Sequence, residues 1–247
     1  MFCVNRQNFA DKPAICYNHR AMTEVNTVLF SDVHLGLPSS RAYELLNTLK
    51  EYRFKRLVIV GDMFDDLNFE FLRSTHWELL EHIGKVSRRN VEVVWIEGNH
   101  DAKFYPFISH LIGIPVYKEY IWHTGGRKFM ALHGHQFDSF ITNDKFLGRF
   151  LGWIYTKVQR VISSHFFDFI FMKITDRWLR MTEQVADNAI MHARKKHCDV
   201  VVCGHTHFAH NINKNGVEYY NLGCWNNKPS HLLIIEDSGK SYYRILD

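Results

Sequence analysis

Apolar and polar positions along the chain fall into two regimes. Over the first hundred residues, short β-branched runs, Thr27–Ser31, Leu57–Gly61 and Val91–Glu97, read as buried strands. Between them, Arg41–Tyr52 and Phe71–Ser87 carry leucines at helical spacing. Strands alternating with helices predict an α/β sheet with crossover connections. After Asp101 strands dominate: Val116–His123, Lys128–His133, Val200–Cys203, Glu218–Leu222, His231–Glu236 and Ser241–Leu246. Two packed sheets flanked by helices accommodate that number of strands.

Ser139–His197 breaks the pattern. It holds no proline, and Leu147, Leu151, Ile154, Val158 and Val161 fall on one helical face. Ten aromatic residues lie between Phe140 and Trp178. The segment reads as a helical insertion leading into a core helix around Glu183–Lys196. Residues 1–22 read either as an extra strand or as an arm, and no function is assigned to them.

Charge sharpens this picture. The chain carries a net +4, yet Ser139–His197 alone has ten Lys/Arg against five Asp/Glu. The excess points to an anionic partner met by the insertion. A nucleic-acid groove is not expected, because the interleaved aromatics are too apolar in context for a stacking platform. Basic helices rich in Trp and Phe also suit a lipid interface. The alternative is that the apolar stripe belongs to the core or to a dimer contact. Five cysteines, an odd number without a C-x-x-C pair, indicate neither a disulfide framework nor a structural zinc site, and reduced thiols imply a cytoplasmic chain. The first twenty residues have no continuous apolar stretch, so neither a signal peptide nor a membrane span is expected.

Five clusters carry candidate chemistry: Asp32–His34, Gly61–Asp65, Gly98–Asp101, His133–His135 and Gly204–His207. Each follows a predicted strand, where α/β sheets assemble their sites. Asp32 and His34 are two apart, as are His205 and His207, so each pair shares one side of an extended segment. The donors are imidazole, carboxylate and amide oxygen, a set suited to Mn²⁺, Fe or Zn²⁺ at five to six coordination. For His135 the sequence leaves open whether it joins the site or packs beside it.

In this order, D-x-H, G-D-x-x-D, G-N-H-D, H-G-H and G-H-T-H resemble the full signature of the calcineurin-like metallophosphoesterases. The resemblance implies a four-layer α/β/β/α sandwich of two mixed sheets over residues 1–247, interrupted by a helical cap at 139–180. It implies two divalent ions, manganese first and iron or zinc next. Asp32, His34 and His207 would hold one, Asn99, His133 and His205 the other, and Asp62 would bridge. His100 would protonate the leaving oxygen or stabilise transition-state charge, with Asp65 orienting it.

Within that superfamily the chain is most similar to the UDP-2,3-diacylglucosamine pyrophosphatases, which release UMP and a lipid sugar 1-phosphate in lipid A synthesis. The similarity rests on the position of the aromatic insertion, on His133–Asp138 and on the Tyr219–Trp225 run. It implies a nucleotide-sugar lipid substrate, with Phe150, Trp153 and Ile154 against the acyl chains and contact with the cytoplasmic membrane leaflet. The chain departs from the best-known branch at His100, at His135 and at Cys224. Other phosphodiesterases, nucleases and a non-enzymatic metal-binding adaptor are the competing readings.

Overall fold

The computed structural model describes residues 22–66, 68–102, 105, 109–110, 113–138 and 165–247, with side chains of the last range from Trp178 onward. One sheet runs β11–β10–β1–β2–β3–β4, built from β1 (Thr23–Phe30), β2 (Tyr52–Val60), β3 (Glu92–Ile96), β4 (Val116–Tyr117), β10 (Ser230–Ile235) and β11 (Ser241–Leu246). The second runs β5–β6–β7–β9–β8, from β5 (Glu119–Thr124), β6 (Arg127–Leu132), β7 (Val200–Cys203), β8 (His210–Lys214) and β9 (Val217–Asn221). Helices α1 (Ala42–Leu49) and α2 (Ser74–Ser87) cover the first sheet, and α3 (His165–Lys195) covers the second.

Both sheets are mixed. The strands β1 to β4 pair in parallel and meet β10 antiparallel, while β6, β7 and β9 pair in parallel between antiparallel edges. Three apolar layers follow. Leu45, Leu49, Leu79 and Ile83 pack from the helices onto the first sheet. Val58, Val60, Ile96, Phe129, Val202 and Leu233 fill the space between the sheets. Ala186, Ala189, Ile190 and Ala193 lay α3 on the second sheet, where small side chains let the helix approach closely. The four-layer α/β/β/α arrangement expected from the resemblance is the one observed.

Two elements differ from the sequence reading. Val116–His123 is not one strand. The chain leaves the first sheet after Tyr117, which pairs with Ile96, and joins the second at Glu119, which pairs with Leu132. Apolar alternation reports burial and does not distinguish which sheet does the burying. Strand β8 was not expected, because His-Asn-Ile-Asn-Lys alternates weakly and lies on an exposed edge. Smaller shifts occur at helix ends: Tyr52 belongs to β2, and Phe69–Phe71 forms a separate 3-10 turn before α2. Among the described residues no helix is long and apolar enough to cross a membrane. Cys198, Cys203 and Cys224 are buried and unpaired.

The inter-sheet layer should dominate stability. Leu233, fully buried there and paired with Leu29, should cost about 2–5 kcal/mol when truncated to alanine. Tyr242→Ala on exposed β11 should stay within about 0.5 kcal/mol of the parent. Urea denaturation of both variants checks this, and a Leu233→Ala loss no larger than that of Tyr242→Ala would contradict the packing described.

Candidate active site

All five clusters converge. Because β1, β2 and β3 run parallel in one sheet and β6, β7 and β9 in the other, their carboxyl ends meet at one rim. The chain must turn sharply there to aim side chains inward. Asp32, His34, Asp62, His205 and His207 all take positive φ, and they are five of the eight non-glycine residues that do so among those described. Such conformations cost roughly 1–3 kcal/mol each and persist only where their surroundings over-determine them. Glycine serves close approach at two points: a side chain at Gly98 would strike Asp62, and one at Gly204 would strike Ser31 and Asp32.

Three overlapping groups of donors result, gathered around Asp32 and around Asp62. Asp32, His34 and His207 offer atoms within 4.8 Å of one another. His34 Nε2 and His207 Nε2 face each other at 3.1 Å, and His207 Nε2 lies 3.2 Å from Asp32 Oδ1. Two imidazole nitrogens this close share either a proton or a cation. Asp32 Oδ1 is buried and accepts no well-aligned hydrogen bond, although its partner oxygen is satisfied by His205 N at 3.0 Å and by Ser31 Oγ. That orphaned oxygen, beside two converging imidazoles, fits a divalent metal.

The second group surrounds Asp62. His133 Nε2 is 3.2 Å from Asp62 Oδ2 and 3.2 Å from Asn99 Oδ1, and His205 Nδ1 is 3.1 Å from Asn99 Oδ1. His133 Nδ1 donates to the Val60 carbonyl at 2.8 Å, so its Nε2 is the free face. Asp32, Asp62 and His133 also fall within one 4.8 Å group, so Asp62 stands between the two sets.

His100 lies at the open side, its ring 4.9 Å from that of His34, and with His34 and Asp62 it forms one of the three groups whose donor atoms lie within 4.8 Å of one another. Its backbone N–H donates to Asp62 Oδ1 at 2.9 Å, and its Nδ1 is 3.0 Å from the carbonyl of Asp65. The Asp65 carboxylate sits between His34 Nδ1 at 3.4 Å and His100 Nδ1 at 3.6 Å. Asp65 therefore holds His100 chiefly through its backbone and braces His34 with its side chain. His135 lies beside the second group, 5.4 Å ring to ring from His133, and belongs to none of the donor groups. Burial, then the charge on His133 and His205, pulls its pKa down to about 4.

Three supporting residues had no role in the sequence reading. Asp138, buried, is 3.0 Å from His205 Nε2. Asp101, fully buried, accepts Met63 N–H at 2.8 Å, Phe64 N–H at 3.4 Å and the Tyr105 hydroxyl, and so fixes the loop that carries Asp62. Its place in G-N-H-D was the signal for it. Burial would raise the Cys224 thiol, yet the neighbouring His207 holds it below its usual value. Phe150, Trp153 and Ile154, expected against acyl chains, lie outside the described residues.

Charge in this cluster is internally balanced. Burial would raise the Asp32 and Asp62 carboxyls, yet the neighbouring imidazoles of His207 and His34, and of His133, hold both well below the usual range. Burial would lower His34 and His133, yet the same carboxylates, with Asp65 beside His34, raise each to about 9. Without metal, the folded chain thus binds these protons more tightly than the unfolded chain. The stabilisation is complete below the ordinary value of 6.5 and is lost as pH climbs through about 9. The metal-free protein should therefore melt at a lower temperature at about pH 8.5 than at about pH 6.5. Metal uptake near neutral pH should release protons, seen as buffer-dependent heats in titration calorimetry. A melting temperature that rises across that interval would contradict the charge pairing.

A family model described as the calcineurin-like phosphoesterase superfamily domain matches residues 25–236. No curated protein sequence matches the chain. Similar solved structures include an archaeal phosphodiesterase, at 13% identity, 89% coverage of this chain and 99% of that one, and a TM-score of 0.49. Vps29 of Entamoeba histolytica complexed with zinc is similar at 13% identity, with 90% and 99% covered and a TM-score of 0.47. The phosphoesterase Yfce of E. coli is similar at 14% identity, with 90% and 99% covered and a TM-score of 0.46. The family match runs from β1 through β10 and takes in all five site clusters, so this chain belongs to the calcineurin-like phosphoesterase superfamily.

Proposed function

We propose that this phosphoesterase is a two-metal hydrolase that cleaves the pyrophosphate of UDP-2,3-diacylglucosamine, or of a related nucleotide-linked lipid, to UMP and the lipid sugar 1-phosphate. The observation that carries the hydrolase is the pair of donor groups meeting at Asp62. Asp32, His34 and His207 would hold one ion, Asn99, His133 and His205 the other, and Asp62 would touch both. Manganese fits this hard-to-borderline set, and iron or zinc fits it next. When bound, two such ions supply Lewis-acid polarisation of a phosphoryl oxygen and an acidified water.

The chain's own part is to place and protonate. A carbonyl only accepts, so the Asp65 carbonyl keeps a proton on His100 Nδ1 and leaves Nε2 toward the open side. His100 Nε2, once protonated, gives that proton to the leaving oxygen. Asp62 Oδ1 fixes the His100 backbone, so the acid and the bridging carboxylate move as one unit.

Support for the lipid comes from the insertion's position and charge, and from a groove at its foot. That groove, of about 490 Å³, combines apolar Leu179, Ala186 and Phe208 with charged Glu183, Asp187 and Lys214. Trp178 stands edge-on to Phe208, their centroids 5.2 Å apart. The chain would then act at the cytoplasmic membrane leaflet. One observation favours a phosphodiesterase with another substrate: the Tyr219–Trp225 run is spent on the metal cradle. Asn221 Nδ2 donates to the Gly204 carbonyl at 2.7 Å, and Trp225 N donates to that of Asp32 at 2.9 Å.

Asp62→Ala should abolish turnover and lower metal content well below two per chain, read by elemental analysis. Retention of two ions would contradict the bridge. His100→Ala should keep its metals and lose about 10²–10⁴ in rate, less for p-nitrophenolate leaving groups. An equal loss for good and poor leaving groups would remove the proton-donor role. Replacing Phe150, Trp153 and Ile154 with polar residues should raise KM for the lipid substrate far more than for a small diester. Mass-spectrometric scoring of UMP release from a panel of nucleotide-sugar lipids decides the substrate, and folded variants that process the lipid normally would end the acyl-chain role.

A further inference from the structure

Three site histidines each turn one ring nitrogen inward, and they do not turn the same one. His133 and His207 present Nε2, toward Asp62 and toward Asp32 respectively. His205 is reversed: its Nδ1 lies 3.1 Å from Asn99 Oδ1, and its Nε2 lies 3.0 Å from Asp138 Oδ2. A neutral imidazole has one N–H and one lone pair, so the nitrogen that donates outward decides which one has a lone pair inward. An ionised carboxylate only accepts. The proton between His205 and Asp138 therefore belongs to Nε2, and the lone pair belongs to Nδ1.

Burial makes this choice binding. The side chains of His205 and Asp138 are 8% and 4% exposed, so water is not a ready substitute partner. The local chain explains the placement. A 3-10 turn at His135–Phe137 carries the backbone from His133 to Asp138, so one six-residue run supplies an inward imidazole and braces a second one. His205 is also pinned at its backbone, where its N–H meets Asp32 Oδ2 at 3.0 Å. Its side chain is left with the choice of tautomer, and Asp138 is the group in contact with the nitrogen that decides it.

We infer that Asp138 is a positioning residue that locks His205 in the Nε2–H tautomer and so supplies an Nδ1 lone pair to the second metal. This rests on the proposed assignment of His205 as a metal ligand. Without the carboxylate the ring can take the Nδ1–H tautomer, and the second site loses a donor while the Asp32–His34–His207 site keeps all of its own.

The test uses the full chain labelled with ¹⁵N and loaded with zinc, which is diamagnetic. Imidazole spectra should show His205 protonated on Nε2 and coordinated through Nδ1, with His133 and His207 coordinated through Nε2. Chelator competition should find one of two ions bound about 10–100-fold more weakly in Asp138→Ala, and the other within a few-fold of the parent. Asp138→Asn keeps an oxygen acceptor and should retain the tautomer with a smaller loss. Zinc bound with His205 coordinated through Nε2, or equal affinities in parent and variants, would overturn the inference and leave the two-metal reading standing. A parent chain that binds no zinc would overturn both. Should Asp138→Ala fail to fold, the parent spectrum and Asp138→Asn still decide.

Discussion

Everything at this rim follows from two carboxylates buried at the ends of adjacent parallel strands. Asp32 and Asp62 are 0% and 1% exposed, and a buried carboxylate without compensation is costly. Imidazoles from the other sheet supply the compensation, His133 for Asp62 and His207 for Asp32. That requirement forces both sheets to end at the same place and explains the left-handed backbone at five of the residues concerned. Strain of this kind survives because the backbone is pinned on both sides: Asp32 N bonds Gly61 O, His34 N bonds Asp62 O and Trp225 N bonds Asp32 O. The cluster is poorly suited to a purely structural role, since well-packed apolar residues would stabilise the same rim at least as well. Its arrangement makes sense as a cradle for cations.

Much of this was legible in the sequence because its signals were local. β-Branched runs marked the central strands, and short polar clusters after them marked the site. What was missed needed partners distant in sequence. The sheet change at Lys118 depends on which strand lies opposite, information absent from Val116–His123 itself. Asp138 gains its meaning from His205, sixty-seven residues away. Strand β8 is different, because its signal was present and unused. Asn215-Gly216 between Lys214 and Val217 is a two-residue hairpin turn, and both residues take positive φ as such turns require. The hydrophobic pattern of β8 is too weak to show alone.

The fold and the substrate rest on different parts of the chain. The candidate metal cradle is built by strand ends and short loops held by backbone hydrogen bonds, and it also absorbs the Tyr219–Trp225 run. Substrate choice in such a scaffold belongs to what surrounds the rim. Among the described residues the groove between α3 and β8 is one such surrounding feature, and the proposed lipid specificity assigns a further part to the aromatic, basic segment that precedes Trp178 in sequence. The reaction class and its specificity are thus separable, and mutations in one should leave the other measurable.

The most direct test of the central claim is anomalous diffraction from crystals of the full chain grown with manganese. The account predicts two peaks sharing the Asp62 carboxylate, one contacted by Asp32, His34 and His207, the other by Asn99, His133 and His205. A single peak, or two peaks with Asp62 touching only one, would contradict it.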